Sequence, residues 1–160
     1  MVELALVLPL FFLLIFGLID LGRFVLADSI LSQGAREGAR VAIVEAGWLG
    51  STDPACGKQG GPVCPATPSA LVSDVTSAAN RMVAGLGGTI TTVYLSCNPP
   101  GAAPSGLWTL PAPYTNCASN NTQGNLVSVR LVFTYHPITP VIGGLIGSVV
   151  RHGAATMVIN

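Results

Sequence analysis

Leu4 to Ile19 is a run of sixteen residues, LALVLPLFFLLIFGLI, without a charge or a hydrogen-bonding side chain. Such a run has to leave water, either inside a protein core or in lipid. A helix that crosses a bilayer needs about 20 apolar residues. The run is slightly short of that. Leu21, Gly22, Phe24, Val25 and Leu26 extend it, with Asp20 and Arg23 placed near the interface. Asp20 and Arg23 are three residues apart, so they can pair on one helical face. Pro9 lies inside the run, removes one backbone donor and crowds the preceding turn. A kink is expected near residues 5–9, which neighbouring helices in a membrane can tolerate. A cleaved secretory signal fits poorly: no Lys or Arg precedes the run, and Val25-Leu26-Ala27 is a weak cleavage match.

Glu3 stands at the mouth of this run. A carboxylate in the hydrocarbon centre costs a few kcal/mol on insertion scales, roughly 2.5–3.5. At the edge it can reach the headgroups. Alternatively it takes a cationic partner, such as the chain-terminal ammonium of a neighbouring subunit.

From Asp20 to about Ala46 the pattern becomes amphipathic. Phe24, Ala27, Leu31, Ala35, Gly38 or Ala39, and Ala42 recur at spacings of three or four, while Asp28, Gln33, Arg36, Glu37 and Arg40 take the other face. Glu37 and Arg40 form a surface pair of little energetic weight. Gly34 and Gly38 make a GxxxG spacing that admits a close helix, either from another subunit or from the chain's own domain. Gly47 and Gly50 mark the end of the helix.

Residues 48–68 read as a loop. A second helix follows over about Ser69–Gly85, with Ser69 as candidate N-cap and Leu71, Val72, Val75, Ala78, Ala79, Met82 and Val83 on one face. Thr89 to Ser96 reads as a strand, residues 98–121 as a long loop carrying Trp108 and Tyr114, and Asn125 to Tyr135 as the clearest strand. In that strand Val127, Val129, Leu131, Phe133 and Tyr135 form an apolar face. Ile138 to Val150 is an apolar segment interrupted by glycines, too short to span a membrane. It suits a short helix on the core, the membrane or a partner. Arg151 to Ile159 reads as a last strand. Three strands then form a small antiparallel sheet packed on the amphipathic part of the first helix, in an order the pattern does not specify.

Cys56, Cys64, Cys97 and Cys117 all follow the hydrophobic run. An even count in a small, loop-rich, tethered domain favours disulfides in an oxidising compartment, with three pairings open. Cys56–Cys64 would staple the first loop and Cys97–Cys117 would close the second. No pair has CxxC spacing and no histidine cluster accompanies them, so a metal site is not expected.

The exported part is poor in ionisable groups. Beyond residue 50, Asp53 and Asp74 are the only carboxylates, and His136 and His152 the only histidines. Neither a nucleophile–base arrangement nor a phosphate loop is suggested, so no catalytic residue, cofactor or small-molecule substrate is expected. Seven basic residues cancel seven acidic ones, leaving no electrostatic footprint for nucleic acid.

VELALVLP at Val2–Pro9, GLIDLGR at Gly17–Arg23 and AREGAR at Ala35–Arg40 together resemble the TadE-like proteins of bacterial Tad (Flp, type IVb) pilus systems, which are minor pilins or pseudopilins. Thr134–Pro140 and Ala154–Met157 are more loosely similar to the family's tail. The resemblance implies an α+β, pilin-like fold: a long N-terminal transmembrane and amphipathic helix (residues 1–47) packed on a small exported domain (residues 48–160). It implies a single pass through the inner membrane, with membrane lipid, other pilin or pseudopilin subunits and the Tad assembly machinery as partners. Glu3, Pro9, Asp20, Arg23, Arg36, Glu37 and Arg40 are its assembly candidates. In the family a prepilin peptidase cuts after a glycine a few residues before the glutamate that Glu3 matches. That glycine and its basic leader do not precede Glu3 here, which leaves a start at an internal methionine, trimming, or an unprocessed copy. The alternative function is a membrane-tethered binding module that uses its disulfide-closed loops.

Overall fold

The structure is a computed structural model that describes residues 2–59, 61–84, 86, 88–100, 114–115, 117, 122–137, 143–144 and 147–159. Of the side chains at 2, 3, 5, 88, 89, 114 and 115, only the backbone placement is described.

The first helix, α1, runs unbroken from Val2 to Ala46 and carries Pro9 inside it. At 1.5 Å per residue it is about 67 Å long. Its first half is bare: Leu4, Leu6, Leu10, Leu14 and Leu18 are each 61–76% exposed. Its second half is the spine of the domain. Ala27, Leu31, Ala35, Ala39, Ala42 and Ala46 are all at most 1% exposed. Their steps of three and four residues are the amphipathic stripe expected of a helix with one buried face. Alanine at five of the six positions lets the neighbouring backbones come close.

The second helix, α2, spans Pro68–Val83. Its N-cap is Thr67 rather than Ser69: the Thr67 hydroxyl accepts the Ala70 N–H at 3.3 Å, and Pro68 takes the first helical position. Proline explains the shift, because its missing N–H is harmless there and its φ is already helical. Leu71, Val75, Ala78, Ala79 and Val83 are buried, while Met82 on the edge of the predicted face is 43% exposed.

Four strands follow: β1 (Gly88–Asn98), β2 (Tyr114–Thr115), β3 (Leu126–Tyr135) and β4 (Val149–Val158). The sheet order is β2-β1-β3-β4. β3 is antiparallel to both long neighbours, pairing Val129 with Leu95 and with Ala155. The two-residue β2 is an addition to the expected three strands. It lies parallel to β1 through Leu95–Tyr114 and Ser96–Thr115. Two residues are too few to show a periodicity, so no sequence pattern marks it. β1 also continues through Cys97 instead of ending there.

The inner sheet face meets α1 and α2 in one core, in which Val127, Val129, Leu131 and Phe133 are fully buried. The contact is closest at Gly153 of β4, where an added Cβ would lie 2.7 Å from the Leu31 carbonyl oxygen and 2.8 Å from Leu31 Cγ. Gly34 and Gly38 face inward too. A Cβ on Gly34 would sit 3.5 Å from the Ala79 carbonyl, and one on Gly38 would sit 3.1 Å from Val75 Cγ1. The GxxxG spacing is thus used within the chain, to seat α2 and β3 against α1.

Two disulfides, Cys56–Cys64 and Cys97–Cys117, close the loops, with Cα separations of 5.5 and 4.7 Å. Trp108 and the Ile138–Val150 segment fall outside the described residues, apart from Gly143, Gly144 and residues 147–150 of the latter.

Candidate functional site

The chain has a polarity along α1 that organises its candidate residues. β4 runs in the direction of α1: Arg151 meets Asp28, Gly153 meets Leu31, and Ile159 lies beside Gly47. β3 runs the opposite way and brings Tyr135 back to Asp20. One end of the domain therefore sits where the bare stem begins. The other end carries Cys97, Cys117 and the loop containing Cys56 and Cys64.

Glu3 and Pro9 lie in the bare half of α1. Asp20 is the first buried polar residue among the described side chains, 6% exposed, and its backbone carbonyl accepts the Tyr135 hydroxyl at 3.4 Å. Arg23 is half-buried and reaches the Leu86 carbonyl at 3.5 Å. Arg36 and Arg40 are exposed on the far side of α1 from the core, and Glu37 stands 3.8 Å from Arg40. The candidates therefore divide. Asp20 and Arg23 bond across the junction between stem and domain, whereas Arg36, Glu37 and Arg40 form a charged strip on the outer side of α1.

At the junction, Gly17, Asp20, Leu21 and Phe24 face Tyr135, Pro137 and Val149 across an open groove of about 350 Å³. Phe24 packs edge-on to Tyr135 with ring centroids 5.8 Å apart. The Arg151 guanidinium lies over the Phe24 ring at 4.6 Å and bonds Asp28 at 2.7 Å. Neither partner of that ion pair stands out in the sequence, because 123 positions separate them.

Two further polar features lie away from the junction. Glu45 is buried between α1 and α2, 8% exposed. Burial first, and then the charge and hydrogen bond of Asp74, push its carboxyl up to about 7. Its Oε2 finds no hydrogen-bond partner among the described residues. The sequence signal for this residue was its position three after Ala42, on the apolar stripe. On the outer sheet face, Arg130 stacks over Tyr94 at 5.3 Å and its Nη2 donates to His152 Nδ1 at 3.1 Å. Desolvation, then Arg130 and Arg151, hold His152 below its ordinary value. This histidine is a neutral acceptor in a sheet-surface network. Among the described residues no three His, Cys, Asp or Glu side chains gather as metal ligands.

With this geometry in place, the family comparison falls on the stem. Residues 1–40 match the family model described as TadE-like protein. The similarity is to the stem. The matched stretch covers the bare half of α1 and the docking positions Ala27, Leu31, Ala35 and Ala39, and stops before the loops and the sheet. Comparison with curated proteins and with solved structures finds no match. The stem is also one helix long and apolar enough to cross a membrane.

Proposed function

We propose that the chain is a minor pilin-like subunit of a Tad-type pilus, held in the inner membrane by the first half of α1 with its disulfide-bonded domain outside the cytoplasm. The observation that carries this reading is the coincidence of the TadE-like match with a bare apolar helix. An apolar surface of this length has no reason to remain uncovered in water. Before assembly lipid covers it, and in the pilus or its base other pilin helices do. The two disulfides agree with an oxidising compartment for the domain.

In this reading Glu3 is neutralised by the N-terminal ammonium of a neighbouring subunit within apolar surroundings. Replacing it should lower assembly while leaving the domain, whose core begins at Ala27, folded. Glu3→Gln and Glu3→Ala are expected to reduce surface pili in a Tad-competent host, with both disulfides still formed in the membrane fraction. Unchanged piliation removes this role for Glu3.

A further inference from the structure

The uncharged run from Leu4 to Ile19 is about 24 Å long as a helix, short of a hydrocarbon core of about 30 Å. The exposed apolar surface does not stop at Ile19. Leu21, Val25 and Leu26 are 59, 62 and 53% exposed; Leu21 lines the groove beside the domain, and Val25 and Leu26 lie off the buried stripe of α1. Counting to Leu26 brings the apolar helix to bilayer thickness. At that depth the domain is already attached, because Tyr135, Val149 and Arg151 pack against Asp20–Asp28.

The domain end at this level is built for apolar surroundings. Arg151 is taken up by Asp28 and the Phe24 ring, Arg23 by the Leu86 carbonyl, and the Tyr135 hydroxyl by the Asp20 carbonyl. Asp20 itself is buried and coupled electrostatically to Tyr135. Each of these residues has a partner within the chain, which lowers the cost of a low-dielectric boundary, although Arg151 Nε has no hydrogen-bond partner among the described residues. Val150 on the outer sheet face is 52% exposed, and residues 137–150 contain no ionisable side chain. The groove between Leu21, Phe24, Pro137 and Val149 opens onto the same apolar surface.

We propose that this end of the sheet is seated in the bilayer interface, with the groove between α1 and the β3–β4 end occupied by the acyl–glycerol region of a phospholipid. The domain is then a lipid-contacting body in its own right, not a head held clear of the membrane by a stalk. This rests on the membrane-spanning reading of α1.

Val150 and Val158 form a matched pair for a test. Both lie on the outer face of β4, 52 and 47% exposed, at opposite ends of the strand. Eight residues separate them, about 27 Å along a strand. Single tryptophans are placed at Leu14, Val150 or Val158 in the full-length Trp48→Phe, Trp108→Phe protein. Each is reconstituted at high lipid excess in phosphatidylcholine vesicles with bromines deep or shallow in the acyl chain. Leu14→Trp should lose emission with deep bromines. Val150→Trp should be blue-shifted and lose emission with shallow bromines, and Val158→Trp should keep its emission with both. Quenching at Leu14 without quenching at Val150 overturns the seating, whether water or a second protein copy covers that end. Absence of quenching at Leu14 overturns the spanning reading itself.

Discussion

At Gly153 the separation of two elements depends on the absence of one methyl group. A Cβ there meets the backbone carbonyl of Leu31 inside van der Waals distance, and helix backbone cannot swing aside as a flexible side chain can. Gly153→Ala is therefore expected to cost about 1–3 kcal/mol, the usual penalty for overpacking, read as a lower unfolding midpoint in detergent. Gly34→Ala should behave oppositely. Its Cβ has ordinary contacts at 3.5 Å and replaces a helix-interior glycine, so stability should hold or rise by up to about 1 kcal/mol.

Glu45 gives the domain a pH dependence with a definite sign. Its folded pKa of about 7 lies above the ordinary carboxyl value of 4.5, so the folded state keeps a proton that the unfolded chain releases. The associated stability is complete below about 4.5 and disappears as pH rises to about 7, by at most ~3 kcal/mol. Melting at pH 5 and pH 8 should show the protein less stable at pH 8. Glu45→Gln should flatten that difference. Asp74, isolated in a weakly charged sequence, showed nothing of this partnership until α2 was laid against α1.

Among the elements, those with a long period were legible in the sequence. The stripe from Ala27 to Ala42 marked the buried face of α1, and the alternation from Val127 to Tyr135 marked that of β3, because burial repeats every 3.6 or 2 residues. Less was legible where one contact decides. The Thr67 cap depended on Pro68, and β2 is held at the edge by tertiary pairing rather than by its own two residues. The GxxxG spacing was ambiguous for a similar reason: it guarantees close approach but does not name the approaching helix. At the junction, residue types were visible but their partners, such as Asp28 for Arg151, were not.

The Cys97–Cys117 bridge acts at this level. It joins the end of β1 to the turn just after β2 and encloses most of the second long loop. A loop with a sequence separation of 20 is worth about 3 kcal/mol in the chain-entropy picture. A Cys97→Ser, Cys117→Ser double variant should lose about that much stability by thermal unfolding. Protection of amide exchange should fall first at Leu95 and Ser96, which β2 pairs.

For the whole molecule, the two ends of the domain differ in how they are held. The end beside Asp20 is held by aromatic and cationic contacts with α1, and the end beside Ala46 by disulfides and the shared carboxyls of Glu45 and Asp74. Between them α1 is continuous, with the domain fixed along its second half through Ala27 to Ala46. Once its first half is in a bilayer, this makes α1 a lever. The part from Asp20 to Ala46 is about 40 Å long. A 10° change of tilt, well inside the range spanning helices adopt, carries the Ala46 end sideways by about 7 Å. A neighbour that reorients the buried half would move Arg36, Glu37 and Arg40 by a graded fraction of that displacement, without any joint in the subunit bending.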